Sequence, residues 1–247
     1  MKQNEAVILA LEKLEGIATL GQLNQEAMKI KECIWKTKTP FASIRRIVQL
    51  DKNIYKIKPG LYGLLKYKKE NEAKGIIAET AKNKNSTEVI EFNHSYYQGL
   101  LLTVGNLKGL KTFIPNQDKN KKFIDRSLGD LRTLDILPDF SFPNLIQRSS
   151  TIDVIWFNER KMPHSFFEVE HSTDIQNSLL KFNELQDFYS RMVIVANVSR
   201  KNEYENKIKY SSFKNLTENN RVRFLDYEAL NKQYENLIQQ QNFEFVL

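Results

Sequence analysis

At 247 residues the chain is long enough for one large domain or two small ones, and its 41% hydrophobic and 11% aromatic content excludes disorder as a global description. No apolar run approaches the ~18 residues that cross a bilayer, and no charged-then-apolar leader opens the chain, so a cytoplasmic protein without membrane contact is expected. The formal charge of +7 lies entirely in the first quarter: residues 1–70 hold 14 Lys and Arg against 7 Asp and Glu, and the other 177 residues hold 23 of each. Such a confined surplus points to a module that binds a polyanion, nucleic acid first.

In chain order, apolar Ala6, Val7, Leu9, Ala10, Leu11 and Leu14 give a first helix over residues 3–14, closed by Gly16. A second helical segment runs from about Leu20 to Ile30. Pro40 suits a first helical position with Thr39 before it, so a third helix spans Phe41 to Leu50. Phe41, Ile44, Ile47 and Val48 fall on one side of it. Ala42, Arg46 and Gln49 point away, flanked by Ser43 and Arg45. Ile54-Tyr55-Lys56-Ile57-Lys58 and Leu61-Tyr62-Gly63-Leu64-Leu65 then form a hairpin around the turn pair Pro59-Gly60.

Three helices and a β-hairpin make a winged helix over residues 1–70. Its third helix is the one offered to a major groove, with Arg46 and Gln49 toward base edges, Arg45, Lys56 and Lys58 toward phosphates, and Ser43 flanking them on the DNA-binding side. The segment from Thr39 to Arg46 and that from Tyr55 to Leu64 resemble the HARE-type helix-turn-helix domain of chromatin proteins and restriction endonucleases. That resemblance implies association with double-stranded DNA. Winged helices also serve as protein-contact modules.

Residues 71–88, rich in Lys, Glu and Asn, read as a linker, and 89–247 as a second domain. A helix runs from near Glu91 to Gly105, followed by a short strand at Lys111–Pro115. Residues 116–150 read as a long polar loop whose Lys119, Lys121, Lys122, Arg126, Arg132 and Arg148 favour a surface that touches DNA. Thr151 to Phe157 and Ser165 to Ser172 then form an antiparallel hairpin. An amphipathic helix from Ile175 to Tyr189, a buried strand at Met192–Ala196, a helix from Asn202 to Phe213, a strand at Val222–Leu225 and a helix from Tyr227 to Gln239 complete the domain.

Alternation along the second strand of the hairpin puts Glu168 and Glu170 on one face, and pairing brings Asp153 toward them. Two like charges about 5 Å apart at an effective dielectric of about 20 repel by roughly 3 kcal/mol, and burial adds to that. Either a carboxyl stays protonated or a hard cation, Mg²⁺ first, sits between them.

The order helix, strand, strand, strand, helix, strand, with Asp153, fourteen residues, then Glu168-Val169-Glu170, resembles the PD-(D/E)XK nuclease core. The departure is Glu170, where that family most often carries lysine. The resemblance implies an α/β fold in which a winged helix precedes a nuclease-like mixed-sheet core (αβββαβ). It also implies Mg²⁺-dependent, sequence-specific hydrolysis of duplex DNA, with Mn²⁺ able to substitute. In that reading Asp153 and Glu168 hold the metal, which polarises the phosphate and acidifies the attacking water. Glu170 orients or deprotonates that water, or binds a second ion. His94 and Gln98, one helical turn apart, and Lys181 border the site; His171 belongs to the sheet edge. A dimer or sequential nicking completes a double-strand break, and a companion DNA methyltransferase protects the same site. A non-catalytic DNA-binding regulator with a degenerate site and a nuclease that reads DNA shape are the alternatives.

Overall fold

In a computed structural model of the chain, residues 1–218 and 220–244 are described; residues 245–247, the last of the expected second domain, lie outside them. Two compact units divide the chain: residues 1–92 with 231–247, and residues 93–230. The expected 1–70 module lies within the first unit, and residues 71–88 and 231–247 group with it. Among the described residues no helix is long and apolar enough to cross a membrane.

The first unit opens with α1 (Gln3–Lys13), β1 (Ile17–Thr19), α2 (Leu20–Met28) and α3 (Pro40–Leu50), then β2 (Ile54–Lys58) and β3 (Leu61–Leu64). A short α4 (Lys68–Ala73) follows. The strands form one antiparallel sheet in the order β1-β3-β2. Sequence reading finds the helices and the hairpin but not β1, which is only three residues long and carries no alternation to detect. Thr19 caps α2 through reciprocal bonds with Gln22. Ala6, Ala10, Leu11, Leu23, Ile44 and Val48 interlock in the core. The Pro59-Gly60 turn needs its glycine: φ is +75°, and a Cβ there would lie 2.8 Å from Asn231 Oδ1.

Lys58 departs from expectation. Its side chain is buried, with Nζ 4.5 Å from the Phe92 ring centroid, so the ammonium is not offered to a phosphate. Burial pushes its pKa down to about 7, against the attraction of Glu79. Between about 7 and the ordinary 10.5 the unfolded chain therefore binds a proton that the folded chain does not. This contribution to stability is present above 10.5 and is lost as pH falls through 7. Lys58→Met is expected to flatten that slope, by about 1.4 kcal/mol per pH unit at most, in denaturant titrations compared at pH 7 and pH 9. A parallel shift of the two proteins would place the ammonium in water.

The second unit is built on a five-stranded mixed sheet. Its elements are α5 (Thr87–Leu107, begun in the first unit), β4 (Lys111–Phe113), β5 (Lys122–Phe123), β6 (Arg126–Ser127), α6 (Leu128–Leu131) and α7 (Pro143–Ser149). They continue with β7 (Val154–Phe157), β8 (Pro163–Glu170), α8 (Ile175–Glu184), β9 (Arg191–Ala196), α9 (Lys201–Lys207), α10 (Lys214–Glu218), β10 (Val222–Asp226) and the start of α11 (Tyr227–Glu244). Strand order is β10-β9-β8-β7-β4; β4 with β7 and β7 with β8 pair antiparallel, while β8 with β9 and β9 with β10 pair parallel. On one face Phe166 and Ile194 pack against Ile175, Leu179 and Phe182 of α8. Toward the other, Trp156 Nε1 donates to Leu101 O of α5 at 3.1 Å. Gly105 permits that close approach, since a Cβ would lie 2.6 Å from the indole nitrogen.

Residues 116–150 are not an open loop. A β5–β6 hairpin, α6 and α7 occupy much of the stretch, and Phe123, Ile124, Leu128 and Leu131 are buried. Several of its cations are engaged within the chain: Lys121 with Asp118, Arg132 with Asn116 and Asp135, Arg148 with Glu184. The apolar residues are too widely spaced for any one window to show periodicity, which is why composition alone reads as loop.

Candidate active site

Asp153 sits immediately before β7. Its Oδ2 accepts the Val169 N–H at 2.7 Å, and its own N–H donates to Glu168 Oε1 at 3.3 Å, so the acid is sewn across the β7–β8 pair. Glu168 and Glu170 share a face of β8 with Phe166, turned toward α8. Both are buried, at 2% and 4% exposure. From α8, Lys181 Nζ reaches Glu168 Oε2 at 2.8 Å and donates to Thr151 O at 3.0 Å. Ser178 Oγ lies 3.0 Å from Glu168 Oε2 and also contacts Glu170 Oε1. One hydroxyl proton serves only one of these acceptors at a time, so the second contact calls for a proton on a carboxyl. Thr173 donates to Glu170 Oε2, with Arg200 Nη1 3.9 Å away.

From α5, His94 Nε2 lies 3.2 Å from Asp153 Oδ2, and Gln98 Nε2 donates to Asp118 Oδ2 at 2.9 Å and to Asp153 O at 3.4 Å. The structure thus brings together Asp153, Glu168, Glu170, His94, Gln98 and Lys181. His171 follows β8 and meets Asn93 Nδ2 at 3.0 Å, its ring stacked 6.5 Å from Tyr227. Ser178, Thr173, Arg200 and the buried Asp118 are additions that sequence reading misses. Ser178 carried a signal: with Lys181 it forms an i, i+3 polar pair interrupting the apolar stripe of Leu179 and Phe182. Asp118, one of five aspartates between residues 116 and 150, carried none.

The electrostatics follow from this packing. Burial, then the charge of Asp153, raises the Glu168 pKa to about 8, against Lys181 and Ser178. Burial also raises Glu170. Burial acts to raise Asp153 too, but its hydrogen bond to His94, the charge of His94, the Val169 amide and Lys181 together hold it below the ordinary range. Burial opposes protonation of His94, and the hydrogen bond and charge of Asp153 overcome it. One proton and one negative charge are thus divided between the two linked acids at neutral pH.

This donor set suits a hard divalent ion in its chemistry: it offers oxygens only, and a cation relieves the charge that otherwise keeps Glu168 protonated. Among the described residues, no three His, Cys, Asp or Glu side chains are gathered as an ion-holding group. Asp153 and Glu168, bonded to one another's strands across β7 and β8, are the two carboxylates that could hold an ion.

In the first unit Arg45, Arg46 and Gln49 lie on the exposed side of α3, with Ser43 half-buried beside them and Lys56 exposed on β2. Arg45 forms an ion pair with Glu235 of α11, and Gln49 hydrogen-bonds Tyr62.

Residues 76–247 match the family model described as the type II restriction enzyme NmeDI C-terminal domain. A relative, the type II restriction enzyme NmeDI of Neisseria meningitidis serogroup C, is 26% identical over 155 residues, which cover 59% of this chain and 43% of the relative. The chain therefore spans less than half of that relative's length. No solved structure matches.

Proposed function

Because the chain belongs to the family of the type II restriction enzyme NmeDI C-terminal domain, we propose that it is a Mg²⁺-dependent, sequence-specific endonuclease that hydrolyses phosphodiester bonds of duplex DNA. The observation that carries this reading is the pair of half-buried Asp153 and buried Glu168, joined by backbone-to-side-chain bonds across β7 and β8. The divalent ion, once bound, supplies a positive centre that polarises the scissile phosphate and acidifies the attacking water. Asp153 and Glu168 would hold that ion. His94 fixes the Asp153 carboxylate from α5, and Gln98 tethers the backbone at the same residue. Lys181 balances the charge of Glu168 and would offer its ammonium to the charge that develops on the phosphate. Glu170, raised by burial, accepts the proton of the attacking water once Ser178 and Thr173 orient it. The element order αβββαβ of α5, β4, β7, β8, α8 and β9 supports a PD-(D/E)XK-type core, and α1–α3 with β1–β3 support a HARE-like winged helix that reads DNA through Arg46, Gln49 and Lys56.

A second reading, a DNA-binding protein with a degenerate site, draws on the engagement of Glu168 by Lys181 and Ser178. Digestion of unmethylated phage DNA with Mg²⁺ or Mn²⁺, followed by sequencing of the ends, separates them. Defined ends are expected. Ends without a shared sequence indicate a nuclease that reads shape; intact DNA that is nevertheless bound leaves the regulator.

A further inference from the structure

Within the first unit, a cleft of about 980 Å³ opens at the N-terminal end of α3. Its walls include Asn24 and Met28 of α2, Lys38 and Phe41 at the entry to α3, Arg45, and Gln239 of α11. Three observations say what it is built to take. Asn24 is 2% exposed, and its Oδ1 has no hydrogen-bond partner among the described residues. A buried carbonyl oxygen in this state calls for a hydrogen-bond donor, such as an N–H on the edge of a base. α3, eleven residues long, begins here with Pro40 first and Thr39 making no side-chain cap bond, so its positive end favours an anion. Finally, Met28 is 43% exposed and Phe41 half-buried, an apolar floor beside the exposed Lys38. The other two cations at the cleft are tied, Lys29 to Glu26 and Arg45 to Glu235, which leaves Lys38 as the one cation there without an ion pair among the described residues.

A hydrogen-bonding edge, a flat apolar face and an attached anion are the chemistry of a nucleotide. We propose that this cleft takes a single nucleotide turned out of duplex DNA. Asn24 reads the edge of the base, Phe41 and Met28 cover its face, and Lys38 with the start of α3 holds the adjoining phosphate. The size of the cleft admits a nucleotide with room for its neighbours. A bare phosphate would leave Asn24 and Phe41 unused. An acidic peptide would satisfy the charge but supplies no flat ring for the floor. The inference rests on the DNA-binding reading above.

The test uses the full chain in EDTA, so that binding is read without cleavage. Fluorescence anisotropy compares a fully paired duplex, the same duplex with one extrahelical nucleotide, a free deoxynucleoside monophosphate and an acidic peptide. An already extrahelical base spares the cost of unstacking, so the bulged duplex is expected to bind about tenfold more tightly than the paired one. Lys38→Ala and Asn24→Leu are expected to abolish that preference while paired-duplex affinity stays within about twofold. Lys38 is exposed, so its variant answers even where the Asn24 variant fails to fold. Equal binding of paired and bulged DNA, or a preference untouched by Lys38→Ala, overturns the cleft and leaves DNA binding standing. A peptide that competes as well as the bulged duplex also overturns it. Binding of the free nucleotide without any duplex keeps the cleft and overturns the DNA reading; no binding of either overturns both.

Discussion

Glu168→Gln is expected to lower DNA cleavage by ~10³-fold or more, about 4 kcal/mol of transition-state stabilisation, with DNA affinity in EDTA little changed. The amide keeps the shape of the side chain and its place beneath Ser178 and Lys181, so a fall in rate reports the loss of the carboxylate rather than of the fold. Asp153→Asn is expected to match it and the double variant to cost little more, because the two acids act as one unit. Single-turnover digestion of unmethylated DNA makes the measurement. A Glu168→Gln protein that still cuts within a factor of ten would remove Glu168 from the chemistry.

The same substitution is expected to stabilise the metal-free protein. Glu168 has an ordinary pKa of 4.5 and a folded value near 8. Across that window the folded chain holds a proton that the unfolded chain has released. The contribution to stability is complete below pH 4.5 and is lost as pH rises through 8. At about 1.4 kcal/mol per unit, the loss is on the order of 3–5 kcal/mol. Glu168→Gln carries no such loss, so its advantage over the unaltered chain in EDTA should grow steadily between pH 5 and pH 8.5 in denaturant titrations. A constant difference would mean that Glu168 is ionised throughout. A site that is costly to hold in the absence of its ligand is the trade-off expected where function is served by buried charge.

Much of this arrangement was legible in the sequence. The Glu168-Val169-Glu170 alternation, the distance to Asp153 and the apolar run at 192–196 specify the centre of the sheet, because pleat periodicity and burial leave few alternatives for such residues. His94 and Gln98 announced themselves by lying one helical turn apart. What sequence could not give was contact made by residues distant along the chain. Ser178 joins two glutamates whose common face was readable but whose shared hydroxyl was not, and Asp118 reaches Gln98 from a stretch of mixed charge. Lys58 failed for the opposite reason: its strand position is readable, but which face of a short strand is covered depends on Phe92, 34 positions away.

The chain's path has a consequence for how the protein comes into being. Glu235 and Tyr234, which clasp Arg45 and Thr19, are separated from those partners by the whole of the second unit. Synthesis therefore passes through the whole five-stranded sheet before α3 acquires its α11 support. Nascent chains are expected to carry the five-stranded sheet while the first unit still lacks α11, so completion of that unit is a late event in synthesis.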